Sequence, residues 1–293
     1  MRKTFVGWIA VAAALSGSAQ GGSGEARGRR IPVRVVGGRL LIVGVTVNGT
    51  GPFPFLLDTG ATSTMVDEEL ADGLGLPHMG PVAHESSVAS RSSELVRGTV
   101  TLGGVRLDGG LIRDRLDALQ NLQPVPRGIV GQDLLRLGNW WLDYRGSSLV
   151  EDADGAFGGS DLGERLPVHW HENRPAIDAV LPDHRRLRLV LDSGASAPVL
   201  FRRDLGDFPP GDTGSAVLTT LHGPTTVAVA SVGPLRVGRA SIDPVDAALL
   251  GETASPRAED GLLPTGLFQG VYFDNRAGSV VLNPRRALLP DGR

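Results

Sequence analysis

The sequence predicts a predominantly β chain built as two similar lobes. Three observations carry this. The 293 residues include 41 Gly and 20 Pro, which favours many short strands and turns over helices. Short apolar, Val-rich runs lie between those turns. Three segments then recur in the same order and at similar gaps in the second half of the chain. A period this long marks a duplicated domain, not a solenoid of short repeats.

The duplication is most visible at "FPFLLDTGATSTMV" (53–66) and "LRLVLDSGASAPVL" (187–200). In the first, Phe55, Leu56 and Leu57 lead into Asp58, Thr59, Gly60 and Ala61; in the second, Leu189, Val190 and Leu191 lead into Asp192, Ser193, Gly194 and Ala195. The step from Asp58 to Asp192 sets the offset of the repeat, and the other matches keep roughly to it. "VRGTVTLGGVRLDGG" (96–110) is echoed by "VASVGPLRVGRASID" (229–243), and "GIVGQDLLRLGNWWLDYRGSSLVED" (128–152) by "GLLPTGLFQGVYFDNRAGSVVLNP" (261–284). The interval from Asp58 to Gly131 is nearly the same as that from Asp192 to Pro264.

The elements follow in order. Residues 1–19 read as a signal peptide: Arg2 and Lys3, then "FVGWIAVAAAL" (5–15), too short to span a bilayer as a helix, then the small residues "GSA" (17–19). The expected mature protein is exported, to the periplasm or the medium. No cysteine follows the apolar stretch to carry a lipid anchor. Removing residues 1–19 takes away Arg2 and Lys3 and no acidic group, moving the net charge from −3 to −5. With no Cys, the fold relies on its core and not on disulfides. Residues 20–30 read as a disordered linker. "IPVRVVGGRLLIVGVTV" (31–47) reads as two strands around a Gly-Gly turn, followed by a turn at 48–52 and the strand into Asp58. "VDEELADGLGL" (66–76) reads as a short helix ended by glycine. Strands run through 95–112; 128–138 reads as strand, one helical turn and turn; 140–152 reads as a hairpin. The first lobe is expected over 31–151, an acidic Gly-rich linker over 152–165, and the second lobe over 166–293.

An apolar strand that delivers a carboxylate places that group where it is partly desolvated, at a cost unless it is used or paired. The chain contains a contrast. Asp212-Thr213-Gly214 follows "DFPPG" and no apolar strand, and lacks a partner segment at the matching interval downstream. The strand before the triplet and the segment after it carry the information, not the triplet.

These motifs resemble the aspartic proteases: an apolar strand, then Asp-Thr/Ser-Gly-Ala, then an apolar-apolar-Gly segment at the interval that separates Asp58 from Gly131. Each copy resembles a retropepsin-like lobe. Both copies in one chain resemble the bilobal pepsin-like arrangement in its shorter bacterial form, over about residues 31–290. The resemblance implies two acid-protease barrels related by a pseudo-twofold axis, with a cleft between them. It implies catalysis by Asp58 and Asp192, one ionised as general base and one protonated, with a water between them. It implies supporting roles for Thr59 and Ser193, whose hydroxyls suit inter-lobe hydrogen bonds, for Gly60 and Gly194, which let backbone pass close to the carboxylates, and for Gly131 in the loop beneath Asp58. It also implies a flap, expected at "HESSVASRSSE" (84–94), with "LHGPTT" (221–226) as its second-lobe counterpart. The first-lobe flap lacks the tyrosine usual in pepsin-like enzymes.

The second copy departs at Pro264, where the pattern places glycine; proline has neither an N–H nor a free φ. That departure keeps open a catalytically inactive peptide- or protein-binding module on the same fold, and, third, lobes that pair with another chain. No cofactor is expected. "HWHEN" (169–173) sets His169 and His171 on one strand face, but no third ligand of suitable spacing follows, so no metal site is expected. Trp140 and Trp141 are read as packing residues. The net charge, with no basic cluster interleaved with aromatics, gives no hint of nucleic-acid binding, and no nucleic-acid partner is expected. The expected partner is a peptide or protein substrate of a monomer without a stable membrane anchor.

Overall fold

The computed structural model describes residues 3–6, 28–85, 90–157, 162–201, 214–221, 223–251 and 258–285. Most of the expected leader, the tip of the expected flap and the Asp212-Thr213 pair lie outside the described residues, as does His222.

The first half contributes β2 (Arg29–Val36), β3 (Leu40–Val47), β4 (Thr50–Leu57), β5 (Met65–Asp67), α1 (Glu68–Gly73), β6 (His78–Glu85), β7 (Ser90–Leu102), β8 (Val105–Asp114), β9 (Gly128–Val130), α2 (Gln132–Leu135), β10 (Trp140–Asp143) and β11 (Ser148–Glu151). The second contributes β12 (Arg165–Pro167), β13 (His169–His171), β14 (Arg174–Val180), β15 (Arg186–Asp192), β16 (Val199–Phe201), β17 (Gly214–Thr220), β18 (Gly223–Val232), β19 (Leu235–Val237), β20 (Ala240–Ile242), β21 (Val245–Leu250), β22 (Gly261–Pro264), β23 (Gly270–Asp274) and β24 (Ser279–Leu282). Within the expected leader, β1 (Lys3–Val6) lies parallel to β17 at the sheet edge. The fold is all-β.

The strand order is the same in both halves: β3-β4-β9-β5-β8-β7-β6 in the first, β14-β15-β22-β16-β21-β18-β17 in the second. The registers agree as well. β4 runs parallel to β9 with Leu56 opposite Ile129, and β15 parallel to β22 with Val190 opposite Leu262. β5 then places Met65 against Ile129, and β16 places Val199 against Leu262. The recurring sequence segments are therefore the strands that build the same loop crossing twice.

A continuous run of strands joins the halves. β2, β11 and β10 of the first half continue directly into β23, β24 and β12 of the second. The joint is antiparallel and reciprocal: Trp141 pairs with Tyr272, with Trp140 opposite Phe273 and Leu142 opposite Val271. Trp140, Trp141 and Tyr272 are fully buried there. The largest apolar cluster draws on both halves, from Leu41, Phe55 and Leu111 to Leu189, Leu263 and Phe273.

Local chemistry explains most elements. Gly37 and Gly38 both take positive φ (58° and 74°) and turn β2 into β3. The 66–76 helix is shorter than its sequence pattern: α1 spans Glu68–Gly73. Met65 and Val66 are instead fully buried in β5, between β8 and β9, where ladder pairing outweighs helix propensity. The Gly-rich linker also differs from expectation at its start. Asp152 is buried and accepts hydrogen bonds from the N–H of Ala156 (2.8 Å) and Phe157 (3.2 Å) and from the Tyr272 hydroxyl (2.7 Å). Phe157 packs edge-on to Trp141. At the other end, β2 begins at Arg29, inside the stretch expected to be linker, because it pairs with Glu151 of β11.

Candidate active site

Each Asp-Thr/Ser-Gly segment leaves an apolar strand whose last residues are fully buried: Phe55, Leu56 and Leu57 before Asp58, and Leu189, Val190 and Leu191 before Asp192. Both strands end at the junction of the halves, and four hydrogen bonds cross-link them there. The Thr59 hydroxyl donates to Leu191 O (2.7 Å) and accepts from Ser193 N–H (2.9 Å). The Ser193 hydroxyl donates to Leu57 O (2.7 Å) and accepts from Thr59 N–H (3.0 Å). Thr59 and Ser193 are buried, and each hydroxyl both donates and accepts, which locks the turns together.

The glycines explain how close the loops come. Neither Gly60 nor Gly194 has positive φ, so neither is required by backbone conformation. Space requires them. A Cβ at Gly60 would lie 2.6 Å from Asp192 Cγ, and one at Gly194 would lie 2.5 Å from Asp58 Cγ. Each glycine makes room for the carboxyl of the opposite half. The sequence pointed to close approach; the structure shows that the approach is crossed.

Asp58 and Asp192 are brought together with almost no exposure, 2% and 0%. Asp58 Oδ1 accepts from Gly60 N–H and Ala61 N–H, both at 2.9 Å, and Asp192 Oδ1 from Gly194 N–H at 2.8 Å. Each carboxyl lies against the glycine of the opposite turn, which brings the two groups into each other's neighbourhood. Asp192 Oδ2 is buried and receives no N–H or hydroxyl donor among the described residues. Two carboxylates offer only acceptors, so a proton on one of them is what lets the pair hydrogen-bond directly. Burial pushes the Asp58 pKa up to about 6, against the opposing pull of the Asp192 hydrogen bond and the Gly60 and Ala61 N–H groups. Burial, then the charge of Asp58, pushes Asp192 well above the usual carboxylate range. The pair shares its titration, and one proton is retained at a pH where isolated aspartates are ionised.

Below Asp58, besides Gly131, the structure uses residues to which the sequence reading gave no role. Asp58 N–H donates to Val130 O (3.0 Å). Gln132 Nε2 donates to Thr59 O (2.8 Å), supporting the turn from beneath. Gly131 allows the segment to pass Ser63, whose backbone would lie 2.5 Å from any Cβ added there. Thr64 gives its N–H and hydroxyl to the half-buried Asp133 carboxylate (2.8 and 2.6 Å) and accepts from Gly131 N–H (3.2 Å). Burial pushes Asp133 up to about 6 as well. The only signal for these roles was adjacency to the quoted segment.

Pro264 keeps the register, opposite Asp192. Counting from the aspartates, Pro198 stands where the first half has Thr64. The second half therefore lacks both the N–H of Gly131 and the hydroxyl it bonds to in the first, and no orphaned group results. Other contacts also cross between the halves. Arg39, at the β2–β3 turn, donates to Ser196 O in the Asp192 loop. Arg136, after α2, lies 4.4 Å over the Trp170 ring and bonds Asn173.

The "HWHEN" histidines face separate carboxylates: His169 lies 3.4 Å from Asp178, and His171 lies 3.3 Å from Glu259. Glu259 is fully buried and pairs with buried Arg174 at 2.7 Å. Glu172 and Asn173 take positive φ as the turn of this hairpin. A groove of about 700 Å³, lined by Pro77, Met79, Leu95, Arg97 and Asp108, includes neither Asp58 nor Asp192.

Residues 43–134 match the aspartyl protease family model. The matched stretch contains Asp58 and Gly131 and ends before Asp192, so it covers the first half of the site. No curated protein matches the chain. The match thus bears on the first half alone, and the buried carboxyl pair combines its aspartate with that of the second half.

Proposed function

We propose that the chain is an exported aspartic endopeptidase in which Asp58 and Asp192 form the catalytic dyad. The observation that carries this reading is the crossed approach of two buried carboxyls, each against the glycine of the other's Asp-Thr/Ser-Gly turn, with the turns cross-linked by Thr59 and Ser193. In this reading the halves are acid-protease lobes related by a pseudo-twofold axis through the Trp141–Tyr272 pair. A water bound between the carboxyls attacks the scissile carbonyl. The ionised member takes the water's proton, and the protonated member donates to the carbonyl oxygen. Thr59, Gly60, Ser193, Gly194 and Gly131 hold the carboxyls in place. The substrate is a peptide or unfolded protein entering between the lobes, with the β6–β7 hairpin as flap. One chain supplies both aspartates, so the working unit is a monomer, and no cofactor takes part.

The test is cleavage of an unfolded protein and a peptide library from pH 3 to 7, with and without a pepstatin-type inhibitor. Inhibitable cleavage that needs both aspartates supports the reading. Peptide binding without turnover would favour the binding module that Pro264 keeps open. Export is tested by mass spectrometry of the mature protein: a chain beginning near residue 20 is expected, and an intact Met1 would refute it.

A further inference from the structure

We propose that Tyr144, a first-half residue, is a positioning residue for Asp192 of the second half, acting through Thr265. The proposal rests on the dyad reading above and adds a residue that neither motif contains.

In the first half, the residue after Gly131 reaches up to the catalytic turn: Gln132 Nε2 donates to Thr59 O at 2.8 Å. The corresponding residue of the second half is Thr265, directly after Pro264, which pairs with Asp192. Threonine lacks the length of glutamine. Its hydroxyl instead meets the Tyr144 hydroxyl at 2.5 Å, and Thr265 is completely buried. Tyr144 follows the last residue of β10, the strand that pairs directly with β23, so the joint between the halves delivers it.

The exchange runs both ways. Asn275 follows Asp274 in "FDNRAG" as Tyr144 follows Asp143 in "LDYRGS". Asn275 Nδ2 donates to Leu135 O (2.9 Å) and Gly138 O (2.6 Å), capping the short helix of the first half. In each half, the residue after the joint strand ties down the segment behind the other half's aspartate. The Tyr144 hydroxyl is also within electrostatic reach of Asp192: burial, and then the Asp192 charge, push its pKa up. Held by Thr265, one residue beyond the Pro264 that pairs with Asp192, the hydroxyl is a polar group beside the end of the Asp192 strand. Taking it away leaves Asp192 in a more apolar setting, which favours its protonated form.

The test is Tyr144→Phe, which removes the hydroxyl and keeps the ring, with Thr265→Val, the double variant and Thr265→Ser. Expected are a fall in kcat on the order of tenfold, about 1.4 kcal/mol, with KM little changed, and an upper pH limb moved to higher pH. The double variant should be no worse than either single one, and Thr265→Ser should behave as wild type. A 13C titration of the Asp192 carboxyl, assigned by its loss in Asp192→Asn, reads the same link without turnover. It should move upward in Tyr144→Phe. An unchanged Asp192 titration overturns the proposal, and so does a kcat loss with an unmoved pH profile. A shifted titration in a protein that cleaves nothing would leave the Tyr144–Asp192 link standing and sink the protease reading alone.

Discussion

Gly60→Ala isolates the requirement for space at the dyad. Gly60 does not need glycine's backbone freedom, so the perturbation is one methyl group. Its carbon would lie 2.6 Å from Asp192 Cγ and 2.7 and 2.9 Å from the two oxygens, whereas ordinary contact begins at 3.4 Å. Asp192, or the loop carrying the methyl, must retreat by about 0.8 Å. Asp192 has no slack, being completely buried and held by Gly194 N–H. Overpacking of this kind costs about 1–3 kcal/mol, while Ala gains about 0.4–1 kcal/mol by restricting the unfolded chain. The net expectation is a loss of about 1–2 kcal/mol in urea unfolding. Activity should suffer more. A displacement near 1 Å at reacting groups costs on the order of 100-fold, read as kcat/KM on an internally quenched peptide. Gly194→Ala should act alike through Asp58, 2.5 Å from its methyl. Gly109→Ala is the control, since nothing lies within 4 Å of a Cβ there. Gly60→Ala with wild-type stability and kcat/KM within threefold of wild type would refute the crossed-carboxyl geometry.

Other outcomes test neighbouring contacts. Asp58→Asn and Asp192→Asn should each abolish cleavage and leave the fold intact. Because the folded Asp58 pKa is raised from 3.8 to about 6, its protonated form stabilises the fold below pH 3.8, and that stability is lost as pH rises through about 6. Asp58→Asn should therefore raise the melting temperature more at pH 7.5 than at pH 3.5; equal shifts in circular-dichroism melts would contradict the burial argument. Thr59→Val leaves Leu191 O and Ser193 N–H without their buried partner, at about 1–3 kcal/mol each, and Ser193→Ala should cost a similar amount in urea unfolding. Glu259→Ala strips buried Arg174 of its 2.7 Å partner and should destabilise by about 3–5 kcal/mol; a loss under about 1 kcal/mol would show that Glu172 alone satisfies the arginine.

Much of this protein was legible in the sequence because it was written twice. Phe55-Leu56-Leu57-Asp58 and Leu189-Val190-Leu191-Asp192 announce the same buried strand ending in a carboxylate, and the later apolar segments announce its parallel partner. Local patterning also determined the Gly37-Gly38 turn and the β10–β11 hairpin, since φ preference and alternation act over a few residues. What lies across the joint was not legible. That Gly60 shelters Asp192 and not Asp58, that Met65 and Val66 leave the helical pattern for a ladder, that Asp152 anchors the linker, and that Tyr144 meets Thr265 all depend on groups far apart in the chain. Sequence periodicity records which face of a strand is buried, but not which strand it will meet. The contacts between the halves are fixed only when both apolar faces close on one another, and the tertiary structure alone decides those distances.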